Sequence, residues 1–148
     1  MIAAVPFRKI LDDPSAGTLL AEYEAECELP ELGPTKPQPQ LYEMMEKSGN
    51  MQAFGVYEGE TLVGFAVVIV YPLPHYGKTI AATESIFISA EHRKNGNYGR
   101  LKAHIVAYAK SRGCAAFQFT APVGSRFEQV LNLTPACRRS NSVFIEAL

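Results

Sequence analysis

The chain has 148 residues, 47% of them hydrophobic and 20% charged, with a net charge of −1, as expected of one globular domain with a core of useful size, residues 1–148. The longest apolar run, Leu62 to Tyr71, stops at Pro72, far short of the roughly 20 residues a membrane span needs. The opening MIAAVPFRKI lacks the charged segment and long apolar stretch of a secretory signal, so no membrane association is expected and the expected compartment is the cytoplasm.

Residues 2–8 are expected to form a first strand. Asp12-Asp13-Pro14 then offers a helix start, with a capping carboxylate and a proline in the first turn. Leu19, Tyr23 and Cys27 recur at helical spacing, which predicts a helix to about Leu29. The following LPELGPTKPQPQ carries four of the ten prolines and reads as a stiff loop, because each proline fixes its own φ. A second, short helix is expected from Leu41 to about Lys47, ahead of Ser48-Gly49-Asn50.

Phe54–Tyr57 and Leu62–Tyr71 are rich in β-branched and aromatic residues and are joined by Glu58-Gly59-Glu60, a hairpin signal. After the loop PLPHYGK, Thr79 to Ser89 reads as a fourth strand. A helix is predicted from Gly99 to Arg112, with Leu101, Ile105, Tyr108 and Ala109 on its buried face. Ala115–Thr120 is expected as a fifth strand, Phe127–Leu133 as a short helix and Ser142–Ala147 as a final strand. No internal repeat or heptad is visible.

Charge is unevenly divided along the chain. Residues 1–60 hold 4 Lys/Arg against 11 Asp/Glu, a balance of −7, and residues 61–148 hold 10 against 4, a balance of +6. A basic second half suits a polyanionic ligand and an acidic first half suits a cationic one; alternatively, Glu22, Glu24, Glu26 and Glu28 are the solvated face of a helix. No run of Lys/Arg interleaved with aromatics points to nucleic acid. Cys27, Cys114 and Cys137 are odd in number and lack a C-x-x-C spacing, which argues against a disulfide framework and a structural zinc site.

The segment from Glu84 to Gly113, ESIFISAEHRKNGNYGRLKAHIVAYAKSRG, holds the chemistry: a strand, a Gly/Asn-rich loop with cations, then an amphipathic helix. Small residues let the backbone approach an anion. The first turn of the helix leaves N–H groups free, and the helix dipole adds partial positive charge. The loop is neither a P-loop, since it has no Gly-Lys-Ser/Thr, nor a Gly-x-Gly-x-x-Gly dinucleotide turn. The plainer alternative is a surface turn whose Gly and Asn serve only its backbone geometry.

The loop resembles motif A of the GNAT superfamily of N-acetyltransferases, Arg/Gln-x-x-Gly-x-Gly/Ala, which grips the pyrophosphate of acetyl-CoA. Two registers fit. In the first, Arg93, Gly96 and Leu101 fall on the family's positions, Ala109 and Gly113 close the helix, and Tyr98 takes the second small-residue site. In the second, Lys94, Asn97, Tyr98 and Gly99 match a Tyr-Gly form of the motif, at the loss of the Arg and the first Gly. In either, the resemblance makes Arg93, Lys94, Asn95, Gly96, Asn97, Tyr98, Gly99, Arg100 and Leu101 the cofactor-binding segment. It also gives Ile86, Phe87 and Ile88 the pantetheine arm, bound like an added strand. The element order is similar to the family's over nearly the whole chain. It implies an α/β (α+β) fold with a mixed, mostly antiparallel sheet of six to seven strands and about four helices. The segment between the first two helices would line the acceptor pocket. Acetyl-CoA is the implied cosubstrate, with no metal.

Moving an acetyl group from a thioester to an amine needs positioning, a base for the amine's proton and a donor for the thiolate. Glu84 is the candidate base. Its place on the fourth strand matches a catalytic Glu of many family members, and strand alternation puts it with Ala82, Ile86 and Ile88, where desolvation strengthens a carboxylate as a base; a structural carboxylate at a strand end is the other reading. The family's general acid is a Tyr after the fifth strand, and no tyrosine lies beyond Tyr108. Ser125, His75, Tyr76 or water are left for that role. His92 and His104 read as surface residues. The expected acceptor is a small-molecule or peptide primary amine. A non-catalytic acyl-CoA-binding module of the same fold is the alternative function, and a final strand at a sheet edge would suit a homodimer.

Overall fold

The computed structural model describes all 148 residues. Its elements are β1 (Ile2–Val5), α1 (Phe7–Leu11), α2 (Ala16–Cys27), α3 (Pro39–Lys47), β2 (Met51–Glu58), β3 (Thr61–Leu73), β4 (Lys78–Ile88), α4 (Asn97–Ser111), β5 (Phe117–Gln118) and α5 (Arg126–Asn132). The strands lie side by side in chain order, antiparallel from β1 to β4, with β5 parallel to β4.

The first strand is shorter than residues 2–8. Pro6 has no N–H for a ladder, and the chain turns there into α1, which buries Phe7 and Ile10. Asp13 then accepts the Ser15 N–H at 2.8 Å and steers the backbone into α2. The proline-rich stretch is a loop with one 3-10 turn at Pro30–Leu32, tied to α2 by the Thr35 N–H on Glu24 Oε1 at 2.9 Å. Between β2 and β3, Glu58 pairs with Thr61 around a two-residue loop, and Gly59 supplies its φ of 61°.

Both faces of the sheet are covered, which explains why β2 and β3 are nearly continuous runs of buried apolar residues rather than alternating ones. One face packs Phe65, Val67, Tyr57 and Phe87 against Phe7, Ile10 and Leu19 from α1 and α2. The other packs Phe54, Val56, Val68 and Ile88 against Leu101, Ile105 and Ala109 of α4. The α4 spacing therefore does what it promised: Leu101 and Ile105 are 0% exposed.

The sheet has five strands, not six to seven. Ser142–Ala147 forms no strand, with Val143 and Phe144 exposed. A strand needs an edge to pair with, and β5, the last strand in the sheet, is two residues long. The expectation of a homodimer through a C-terminal edge strand loses its basis with it. No helix is long and apolar enough to cross a membrane.

Candidate active site

β4 and β5 share only Ala81↔Phe117 and Ala82↔Gln118. The next link is the Thr120 N–H on Thr83 Oγ1 at 3.3 Å, a side chain standing in for a ladder bond. Beyond it β4 continues to Ile88 with no strand on that edge. Ser89 N–H donates to Val63 O at 2.9 Å, so by antiparallel alternation Phe87 and Ser85 bond to β3 and the backbone groups of Ile86 and Ile88 face the gap. Of the three residues assigned to the pantetheine arm, Ile86 and Ile88 thus point main-chain groups into the opening, and the Ile88 carbonyl already accepts Arg93 Nε at 2.8 Å. Phe87 turns its side chain into the core on the α2 side.

At the end of this open edge the chain makes a 3-10 turn, Ala90–Asn95, and then reverses at Gly96, whose φ of 71° is the left-handed conformation that glycine supplies most cheaply. The first α-helical bond of α4 is Arg100 N–H to Gly96 O at 3.2 Å. The N–H groups of Asn97, Tyr98 and Gly99 lie ahead of it with no helical acceptor, at the positive end of the helix dipole. A Cβ built at Gly99 meets nothing within 4 Å, so open space adjoins this turn.

The loop's side chains serve to hold it. Arg93, expected at the cofactor, gives one Nη2 to both carboxylate oxygens of Glu26 at 2.8 Å, and its guanidinium lies 5.2 Å from the Phe87 ring centroid. Ser89 donates to Glu22 Oε2 at 2.8 Å. Asn95 and Asn97 both donate to Glu58 Oε1 at 2.8 Å, and His92 Nδ1 meets Glu58 Oε2 at 2.9 Å. Arg100 Nη2 donates to Asn95 O and Asn97 Oδ1, each at 2.7 Å. Tyr98 packs its ring edge-on to Phe127, 5.5 Å between centroids, and Leu101 is buried under the helix. Lys94 is exposed. The glutamates of α2 are thus partly anchors and not simply a solvated face.

Glu84 sits at an irregularity in β4. The pairing Val67↔Ser85 is followed by Val68↔Thr83, so Glu84 is the extra residue of a β-bulge. The bulge breaks the expected alternation. Ile86 and Ile88 pack on the α4 side, whereas Glu84 turns to the α3 side and is exposed rather than set among apolar side chains. Its Oε1 accepts the Tyr42 hydroxyl at 3.0 Å, leaving Oε2 without a protein donor. Tyr42 is fixed by stacking on Phe7, 3.8 Å between centroids and 22° between planes.

Burial, followed by the Glu84 charge and hydrogen bond, drives the Tyr42 phenol well above its ordinary pKa. The Tyr23 phenol is pushed up to about 12 by burial and then by Cys27 and Glu84. Both stay protonated at neutral pH. Neither Tyr42 nor Glu58 stands out in the sequence. Tyr42 has the signal of lying on the expected second helix beside the acceptor loop, whereas Glu58 reads only as a hairpin residue.

Ser125 is the N-cap of α5, its Oγ accepting the Glu128 N–H at 3.1 Å, and no hydrogen bond joins it to Glu84. His75 and Tyr76 pack on each other in the turn before β4, at the opposite end of that strand from the loop. His104 bonds the Arg100 carbonyl on the surface of α4 at 2.9 Å, and Lys102 lies over the Phe119 ring. No group of three or more His, Cys, Asp or Glu side chains is arranged to hold a metal.

Solved structures share this arrangement. A ribosomal-protein-alanine N-acetyltransferase from Brucella melitensis biovar Abortus is 21% identical, with a TM-score of 0.73 over 99% of this chain and 97% of its own. An aminoglycoside acetyltransferase from an uncultured soil metagenomic sample is 14% identical, with a TM-score of 0.76 over 100% and 95%. A transcriptional regulator from Bacillus halodurans is 19% identical, with a TM-score of 0.65 over 97% and 99%. At these identities the likeness is one of fold. No curated protein matches the sequence. Residues 17–125, which run from α2 to the start of α5 and include the loop, Glu84 and Tyr42, match the sequence model of the acetyltransferase (GNAT) family, and the chain belongs to that family.

Proposed function

We propose that this acetyltransferase moves the acetyl group of acetyl-CoA directly to a primary amine, with Glu84 as the base. The observation that carries the reading is the adjacency of two unsatisfied backbone surfaces: the free amides opening α4 and the bare edge of β4 that leads from them to Glu84. The residues fit the cosubstrate. Asn97, Tyr98 and Gly99 present main-chain donors to a diphosphate. Ile86 and the Ile88 amide extend the sheet toward a pantetheine arm, and Arg100 and Lys94 supply positive charge at the rim.

Acetyl-CoA supplies the thioester and leaves as the thiol. Glu84 Oε2 takes the proton of the incoming ammonium, directly or through one water, while Tyr42 holds the other carboxylate oxygen and fixes its direction. The amine nitrogen adds to the thioester carbonyl; as the adduct collapses the C–S bond breaks, the C=O re-forms, and the proton still on the nitrogen passes to the departing thiolate through water or the Ser125 hydroxyl. The acidic α2–α3 side draws cationic acceptors.

Steady-state acetyl-CoA consumption across a panel of amines tests this. Glu84→Gln should lower kcat by about 100-fold, within the usual range for losing a general base, with the affinity for CoA unchanged. Tight CoA binding without turnover on any amine would instead favour a binding module.

A further inference from the structure

The loop that opens α4 sorts its donors into two sets. The side chains at positions 92, 95 and 97 each direct a donor to one carboxylate, Glu58, at the end of β2. Asn97 is 1% exposed and closes the set from inside, donating as well to His92 O at 2.9 Å and accepting from Arg100. The main-chain donors of Asn97, Tyr98 and Gly99 are outside this network.

We infer that Glu58 is the positioning residue of the anion-binding loop. By collecting the His92, Asn95 and Asn97 side chains beneath the turn, it fixes the backbone so that its amides face outward. The inference rests on the proposed use of this loop for CoA. A carboxylate suits the role because it is acceptor-only, with about four lone-pair directions for three donors. The three donors acting together, Asn95 first and then Asn97 and His92, hold the Glu58 carboxyl at about 2, well below its usual value. Nothing about the position calls for negative charge near a bound phosphate. The side chain is there for its acceptors.

Glu58→Met separates these ideas, because it keeps the length and removes both acceptor oxygens, whereas a glutamine could still accept from Asn95 and Asn97 and donate to His92 Nδ1. Titration with coenzyme A should show Kd raised about 10- to 100-fold, the usual consequence of breaking charge-assisted hydrogen bonds. The kcat at saturating acetyl-CoA and the KM for the amine should stay within about twofold. In the protein without ligand, amide exchange at His92 and Arg100, whose N–H groups bond to Ser89 O and Gly96 O within this turn, should quicken while that of Ile105 and Ala109 does not change. Glu60→Gln, in the same hairpin, is the control for charge alone. Should Glu58→Met fail to fold, Asn95→Ala removes one donor from an exposed position and should raise Kd several-fold.

Wild-type affinity and wild-type exchange in Glu58→Met would overturn the inference. So would a parallel fall of kcat and amine affinity, which marks general disruption. If the wild-type protein does not bind coenzyme A, the reading of the loop fails. The exchange measurement then still decides whether Glu58 orders the turn.

Discussion

The two edges of β4 differ sharply. Against β3 it is paired at ten register positions from Leu73↔Lys78 to Gly64↔Ile88, and against β5 at two. The same strand is therefore rigid on one side and, past Thr83, unsatisfied on the other. An open strand edge inside a fold is a liability unless something uses it, and here it runs directly into the free amides of α4. The dense edge holds the strand still; the bare one faces the gap. The bulge at Glu84 lies where the two regimes meet, and it turns a carboxylate out of the sheet toward Tyr42.

The largest effect is expected at the dense edge. Gly64 sits where β3 crosses β4 so closely that a Cβ would stand 2.7 Å from the Phe87 carbonyl oxygen and 2.9 Å from Ile88 Cγ1. Gly64→Val forces the strands apart at the place where Ile88 turns into the loop. A loss of about 3 kcal/mol is expected from overpacking, read as a lower denaturant midpoint, together with weaker coenzyme A binding. Full stability in this variant would mean that the β3 edge is not the rigid member of the pair.

A smaller effect sharpens the open side. Tyr42→Phe deletes the hydroxyl on Glu84 and keeps the ring that stacks on Phe7. The kcat should fall about threefold to tenfold, the range of one ordinary, solvent-exposed hydrogen bond, while the thermal midpoint and KM for acetyl-CoA hold. A drop in stability instead would assign Tyr42 to packing rather than to the direction of the carboxylate.

What was legible beforehand follows the range of the forces involved. β4, its loop and α4 were readable because each signal is local: apolar runs, Gly and Asn where the backbone reverses, and Leu101, Ile105 and Ala109 at helical spacing. Gly96 was legible as a turn and has the φ that requires one. The bulge was not, since strand alternation presumes an unbroken register and only the partner strand shows the extra residue. Tyr42 meets Glu84 across 42 positions and Asn97 meets Glu58 across 39, distances over which sequence spacing carries no information. The split of residues 2–11 into β1 and α1 turned on Pro6, which is as acceptable at a strand end as at a helix start.

The C-terminal segment gives the smallest effect and the plainest contrast with the core. Val143 and Phe144 would be buried in a strand by composition alone, yet they are 88% and 93% exposed, and a β-branched or aromatic residue gains nothing from strand geometry without neighbours on either side. Phe144→Ser should therefore change the unfolding free energy by no more than about 0.5 kcal/mol, the range of surface substitutions, against about 3 for Gly64→Val at the dense edge. Urea titration of the two variants side by side measures the difference directly. A cost at Phe144 approaching that at Gly64 would mean that the segment packs on the sheet in solution, and the open side of β4 would have to be redrawn with a cover over it.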